Sequence, residues 1–123
     1  MDGMRFTYSV HLHGTLAANG RGEFALPCGA TLMAVSVGGS NANNGQLDVG
    51  TAADRDGILD GVDIGDSGTP VAFGPQQFNG ALADGRSGYH FARGDVLAWD
   101  LDFDGAAGTA AANVSLVFTF LEG

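Results

Sequence analysis

Three acidic residues alternate with large apolar ones in Asp100-Leu101-Asp102-Phe103-Asp104-Gly105. Carboxylates at every second position followed by glycine can open a calcium loop, because that ion takes hard oxygen ligands held by a sharp turn. A helix–loop–helix calcium site also needs a bidentate carboxylate at its twelfth position, where Ala111 stands. Interleaved with Trp99, Leu101 and Phe103, the acids fit a strand buried on one face, about 7 Å apart and only modestly repelling in water. A solvated acidic strand face is the leading reading; a divalent site shared with a neighbouring loop or subunit is the alternative. A second cluster places Asp54, Asp56, Asp60, Asp63 and Asp66 within thirteen residues. These supply oxygen ligands enough for calcium, yet aspartate is also a turn former that bonds its own backbone. Asp54, Asp56, Asp60, Asp100, Asp102 and Asp104 are the calcium candidates, and no other cofactor is expected.

His11 and His13 fall on one face of a strand, and with His90 they would make a three-histidine metal site. The pair resembles the His-x-His strand of the cupins. That pattern wants an acid a few residues on, which Gly14 to Gly20 does not offer, and Glu23 lies too far along. Cys28 is the only cysteine, so no internal disulfide forms, and its place after Leu26-Pro27 suits a small buried hydrophobe. No Gly-x-Ser-x-Gly elbow, Cys-x-x-Cys pair, phosphate-cradling glycine loop or HExxH helix is present. No catalytic residue is assigned, and the chain is expected not to be an enzyme.

Composition narrows the partners. The formal net charge is −9, with twelve Asp, two Glu, five Arg and no Lys. Nucleic acid is not an expected partner, because phosphate contacts need a basic surface. No apolar run is long enough to cross a bilayer, and Met1-Asp2-Gly3-Met4-Arg5 lacks the basic then apolar pattern of a secretory signal. No membrane partner is expected either. With 123 residues, 21 of them glycine, the chain reads as one domain, 1–123, of short strands joined by tight turns.

The elements that must hold these groups follow from period-two alternation. Phe6, Tyr8, Val10 and Leu12 share one face of a first strand, with His11 and His13 on the other. A short strand covers Glu23 to Leu26. Thr31 to Gly38 places Met33, Val35 and Val37 opposite Leu32, Ala34 and Ser36. Ser40 to Gly45 is a turn whose Asn and Gly tolerate positive φ. Leu47 to Val49 is extended, and Asp54 to Gly68 is an ordered loop anchored by Ile58, Leu59, Val62 and Ile64. Val71 to Phe73 and Tyr89 to Phe91 are short strands flanking an excursion pinned by Phe78 and Leu82. Leu97, Trp99, Leu101 and Phe103, then Val114, Leu116, Phe118 and Phe120, make two apolar rows joined at Gly105 to Thr109. They are predicted to pair with each other at the centre of a sandwich. About eight strands result, which predicts an all-β, antiparallel two-sheet sandwich of jelly-roll type.

Three stretches resemble small structural proteins of tailed bacteriophages. Val49-Gly50-Thr51-Ala52-Ala53-Asp54-Arg55-Asp56-Gly57 followed by Ile58-Leu59 is similar to that group's "VGT-x-x-D-x-D-G" turn and apolar pair. Leu26-Pro27-Cys28-Gly29-Ala30-Thr31-Leu32-Met33-Ala34-Val35-Ser36-Val37 is similar to its "LP-x-x-A-x-L-x-x-V-x-V" strand. Arg93-Gly94-Asp95-Val96-Leu97, a Gly/Ala/Thr turn, and Val114 to Phe120 fit its ending, so the likeness runs from about Leu26 to Leu121. The resemblance implies a β-sandwich of the virion, on the capsid exterior, decorating and cementing the shell built by the major capsid protein. It implies a homotrimer and carries no catalytic residues. The excursion from Phe73 to Gly88 departs from the compact pattern and leaves a second role open, as the glycan-binding, calcium-dependent module of a phage fibre or adhesin. Asp54, Asp56, Asp60 and Asp63, with Tyr89 and Phe78, would then line the site.

Overall fold

Where apolar and polar residues alternate without interruption, the chain is a strand. The computed structural model describes residues 4–79 and 89–123. They form β1 (Arg5–Thr15), β2 (Gly20–Ala25), β3 (Ala30–Gly38), β4 (Gln46–Thr51), β5 (Leu59–Asp63), β6 (Val71–Phe73), β7 (Tyr89–Phe91), β8 (Val96–Asp102) and β9 (Ala112–Glu122). A short 3-10 turn covers Pro75–Gln77. All strand pairs are antiparallel. One sheet, sheet A, runs β1-β9-β3, with β6 and β7 both on the far edge of β3; the other, sheet B, runs β2-β8-β4-β5. Sheet orders β1-β9-β3-β6/β7 and β2-β8-β4-β5 are those of an eight-stranded jelly roll, whose sixth strand is divided here between β6 and β7.

This winding corrects the expected pairing of the two C-terminal rows. β8 lies between β2 and β4, and β9 lies between β1 and β3, so the two rows face each other across the core. The turn between them bridges the sheets instead of closing a hairpin. Asp104 takes a left-handed φ of 42°, and the Ala111 N–H reaches the Phe103 carbonyl at 3.2 Å. Side chains of the β3–β4 connection then fasten the crossing. Asn44 Oδ1 accepts from the Thr109 N–H at 2.8 Å, and Asn41 Nδ2 donates to the Ala110 carbonyl at 2.9 Å. These asparagines serve through their amides; among the described residues the non-glycine positions with positive φ are Ser67, Asp104 and Asn113.

β3 departs from simple alternation. Its register against β9 shifts between Leu32 and Ala34, so a bulge at Met33 turns the row over. Leu32, Val35 and Val37 are buried while Met33 is half-buried, which corrects the face expected for Met33 and Leu32. The bulge also divides the edge, with β7 pairing Ala30–Leu32 before it and β6 pairing Val35–Val37 after it.

The core takes Leu97, Trp99 and Leu101 from sheet B and Val114, Leu116, Phe118 and Phe120 from sheet A. Each such side chain contributes about 1.5–3 kcal/mol by leaving water. Ile58, Leu59 and Ile64 are buried as expected of anchors, and Phe78 is 7 % exposed. Leu82 lies outside the described residues. The Trp99 indole lies flat over β2, where a Cβ on Gly22 would stand 2.7 Å from its ring. Only glycine leaves that room.

Candidate functional site

The outer face of sheet B gathers the acids. Glu23 on β2, Asp100 and Asp102 on β8, Asp48 on β4, and Asp60 and Asp63 on β5 all stand on it, with Asp48 directly opposite Asp100. One cation organises this surface. Arg55 Nε donates to Asp100 Oδ2 at 2.8 Å and its Nη2 donates to Asp100 Oδ1 at 3.2 Å. Nη1 reaches Glu23 Oε2 at 2.8 Å, and Nη2 also reaches the Trp99 carbonyl at 3.0 Å. This forked geometry is what a guanidinium supplies and an ammonium cannot. The hydrogen bond to Asp100, before all other effects, raises the guanidinium pKa. Arg21 lies 3.6 Å from Asp100 but is 68 % exposed, so it adds little.

The loop that delivers Arg55 is built by the residues before and after it. Gly50 sits on the outer face of β4, where a Cβ would collide with the Asp54 carbonyl, so only glycine lets the loop fold back across the sheet. Thr51 and Asp54 exchange backbone hydrogen bonds of 2.9 and 3.2 Å, and the Thr51 hydroxyl accepts from the Asp54 N–H. Gly57 N–H returns to the Asp54 carbonyl at 3.1 Å and Ile58 N–H to the Val49 carbonyl at 2.8 Å, closing the turn. Arg55 is the residue that sequence reasoning missed. Its signal was a lone base within an acidic run, legible only with Glu23 and Asp100 brought beside it.

The acids shift one another. Burial, above all, raises the Asp48 pKa, aided by Asp60, Asp56 and Asp100 and opposed by a hydrogen bond from the Gly61 N–H. A hydrogen bond shared with Asp56 raises that of Asp54. The calcium candidates are placed accordingly. Asp100 is held by Arg55, Asp102 Oδ1 accepts from the Asp104 N–H at 3.0 Å, and Asp54 lies beside the like-charged Asp56, which raises its pKa. Among the described residues no three His, Cys, Asp or Glu side chains gather around one point as an ion would require.

The outer face of sheet A is chemically opposite. Its outward positions are Arg5, Thr7, Ser9, His11, His13 and Thr15 on β1, Asn113, Ser115, Val117, Thr119 and Leu121 on β9, with Thr31, Ala34 and Ser36 on β3 and His90 on β7. No carboxylate stands among these. His90 lies opposite Thr31, which aligns through Leu121 with Arg5, whereas His11 lies opposite Ser115 near the other end. About 20 Å of strand separates them. The three-histidine site is therefore not formed, because β7 and the His-bearing end of β1 occupy opposite corners of the sheet.

His11 Nδ1 does meet the Ser115 hydroxyl at 2.9 Å, a cross-strand pair that the sequence did not suggest. A serine nucleophile needs its base oriented by a third group, and among the described residues no acid stands on this face to do so. The neighbouring groove, about 310 Å³, is lined by Ser36, Gly39, Ser40, Asn113 and Ser115 and is open to solvent. Tyr89 borders a separate cleft with Thr51, Ala52, Ala53 and Asp95, while Phe78 is in the core and unable to stack on a sugar. Cys28 is half-buried and free.

No family model matches the chain, and no curated protein matches it. Among solved structures, a chain of the Cyanophage Pam1 capsid asymmetric unit matches it with a TM-score of 0.54 and 16 % sequence identity. The match spans 99 % of this chain and 87 % of that one. At that identity the likeness is one of fold.

Proposed function

We propose that the chain is a structural component of a phage virion: a decoration or cement protein, homotrimeric, that binds the outside of the head shell and stabilises it without catalysing a reaction. The observation that carries this reading is the end-to-end likeness of its jelly roll to a chain of a capsid asymmetric unit. The side chains agree with it. Arg55, the best-organised polar group, spends its donors on fixing a loop to a sheet, and the His11–Ser115 pair lacks an orienting acid among the described residues. A protein that holds a lattice together needs a rigid body and unlike surfaces, one for its partner and one for solvent. The face of sheet A, free of acids among the described residues, and the acidic face of sheet B supply such a contrast. The partner in this reading is the major capsid protein, and neither nucleic acid nor membrane takes part.

Copy number in purified particles, measured by quantitative mass spectrometry against the major capsid protein, tests the proposal. A ratio of the same order as the shell protein is expected, and particles lacking this chain should release their genome at lower temperature. A few copies per particle would favour the fibre or adhesin role, and complete absence would remove both.

A further inference from the structure

The two lateral sides of the sandwich are unlike. On one, the edges are β6 and β7, of three residues each, and β5, which carries Asp60 and Asp63 beside Gly61 at a φ of 64°. Short strands, edge charges and irregular backbone are the devices that keep an edge from pairing. On the other side, sheet A ends in β1 and sheet B ends in β2, and neither has a further partner strand among the described residues. β1 is 11 residues long, holds no Pro, Lys, Asp or Glu, and keeps regular register from Arg5 to Leu12. Between these two edges lie Phe6, Tyr8, Val10, Leu12, Leu16 and Phe24, all only partly buried against the core. Tyr8 and Phe24 stack across the seam with ring centroids 4.3 Å apart.

We infer that this β1/β2 side is the surface through which copies of the chain join one another. Charge selects a second copy as the occupant. In a chain of net charge −9, self-association requires a surface that does not bring carboxylates together. β1 has none, and the single acid of β2, Glu23, is already bonded to Arg55 and flanked by Arg21. The acidic face of sheet B and the β5 edge would each oppose their own copies. Size agrees as well. About 36 Å of β1 and about 20 Å of β2, each about 10 Å wide, offer roughly 560 Å², close to the roughly 600 Å² per partner at the lower end of specific interfaces. The number of copies, three, rests on the proposed decoration role; the choice of surface does not.

Sedimentation equilibrium at micromolar concentration is the test. The wild-type chain is expected at the mass of three 12.5-kDa chains. Leu12→Glu, in the seam, is expected at the mass of one. Val71→Glu places the same charge on the opposite edge, at a position already 37 % exposed, and is expected to keep the wild-type mass. Should Leu12→Glu fail to fold by circular dichroism, Thr7→Lys/Ser9→Lys tests the same edge with side chains that stay in solvent in the free chain. A monomeric wild type, a charged β1 variant that stays associated, or dissociation by Val71→Glu would each overturn the assignment. A two-chain mass abolished by Leu12→Glu would keep the surface and overturn the threefold. Copy number on particles is measured separately, so loss of the decoration role would leave this result readable.

Discussion

Replacing Arg55 by Met should cost about 2 kcal/mol of stability, although the residue lies in a surface loop. Hydrogen bonds to charged partners are each worth about 1.5–3 kcal/mol when water is excluded, whereas exposed ion pairs are worth about 0–1. Arg55 falls between these limits, its side chain 20 % exposed against 33 % for Asp100 and 57 % for Glu23. The forked contact with Asp100 and the bond to the Trp99 carbonyl carry most of the effect, and Glu23 adds little. Removing the guanidinium also leaves Asp100 facing Asp48 across the sheet, with the exposed Arg21 as its remaining ion-pair partner among the described residues. For a chain of this length about 2 kcal/mol lowers Tm by roughly 8 °C, which thermal melting resolves easily. Lysine should restore less than half of the loss, since one ammonium cannot reach Asp100, Glu23 and the Trp99 carbonyl together. A double-mutant cycle with Asp100→Asn should give a coupling of about 1 kcal/mol, smaller at high salt. A loss below about 0.5 kcal/mol, or full rescue by lysine, would refute this account of the loop.

Other substitutions test neighbouring claims. Gly50→Ala should cost about 3 kcal/mol, at the upper end of overpacking penalties, because its Cβ would strike the Asp54 backbone; urea unfolding reads the loss. Gly22→Ala should cost about 1–3 kcal/mol and alter Trp99 fluorescence, since the added carbon meets the indole at 2.7 Å. Asp48 has a folded pKa above its unfolded one, so the folded state binds the extra proton and stability rises as pH falls through that value. Asp48→Asn should therefore raise Tm at pH 7, keep the Gly61 hydrogen bond, and make no difference at about pH 2.5, below the unfolded carboxylate value; equal effects at both would contradict the assigned cause. Calcium titration by calorimetry should give no saturable heat, and chelator should leave Tm unchanged. A stoichiometric heat lost on replacing Asp54 and Asp56 would instead show the loop closing on the ion.

Much of the scaffold was legible because alternation reports which face of a strand is dry. Phe6 to Leu12, Leu97 to Leu101 and Val114 to Phe120 read correctly for that reason, and Ile58, Leu59 and Ile64 stood out as apolar residues in a polar loop. Alternation says nothing about which strand lies beside which. Gly105 to Thr109 looks like a hairpin turn whether the chain doubles back or crosses to the other sheet, so the pairing of the last two rows was misread. A one-residue bulge reverses a face without changing composition, and Met33 was misplaced accordingly. The polar sites were least legible. Arg55 acts on groups at positions 23, 99 and 100, and His11 meets a serine from the far end of the chain. Such groupings exist only once distant strands have been brought together.

The position of β9 at the middle of sheet A has a kinetic meaning. Its neighbours are β1 and β3, and the strand pairing that would be cheapest in loop entropy, a hairpin with β8, is the one that the fold does not use. Each sheet must therefore be built from segments far apart in the chain, which makes for slow, all-or-none assembly. Until the residues of β9 are available, β1 and β3 have no central strand to dock on and their apolar rows stay exposed. A nascent or C-terminally clipped chain would thus have no folded half to offer, and only chains carrying an intact β9 would reach the folded pool from which an oligomer could be drawn.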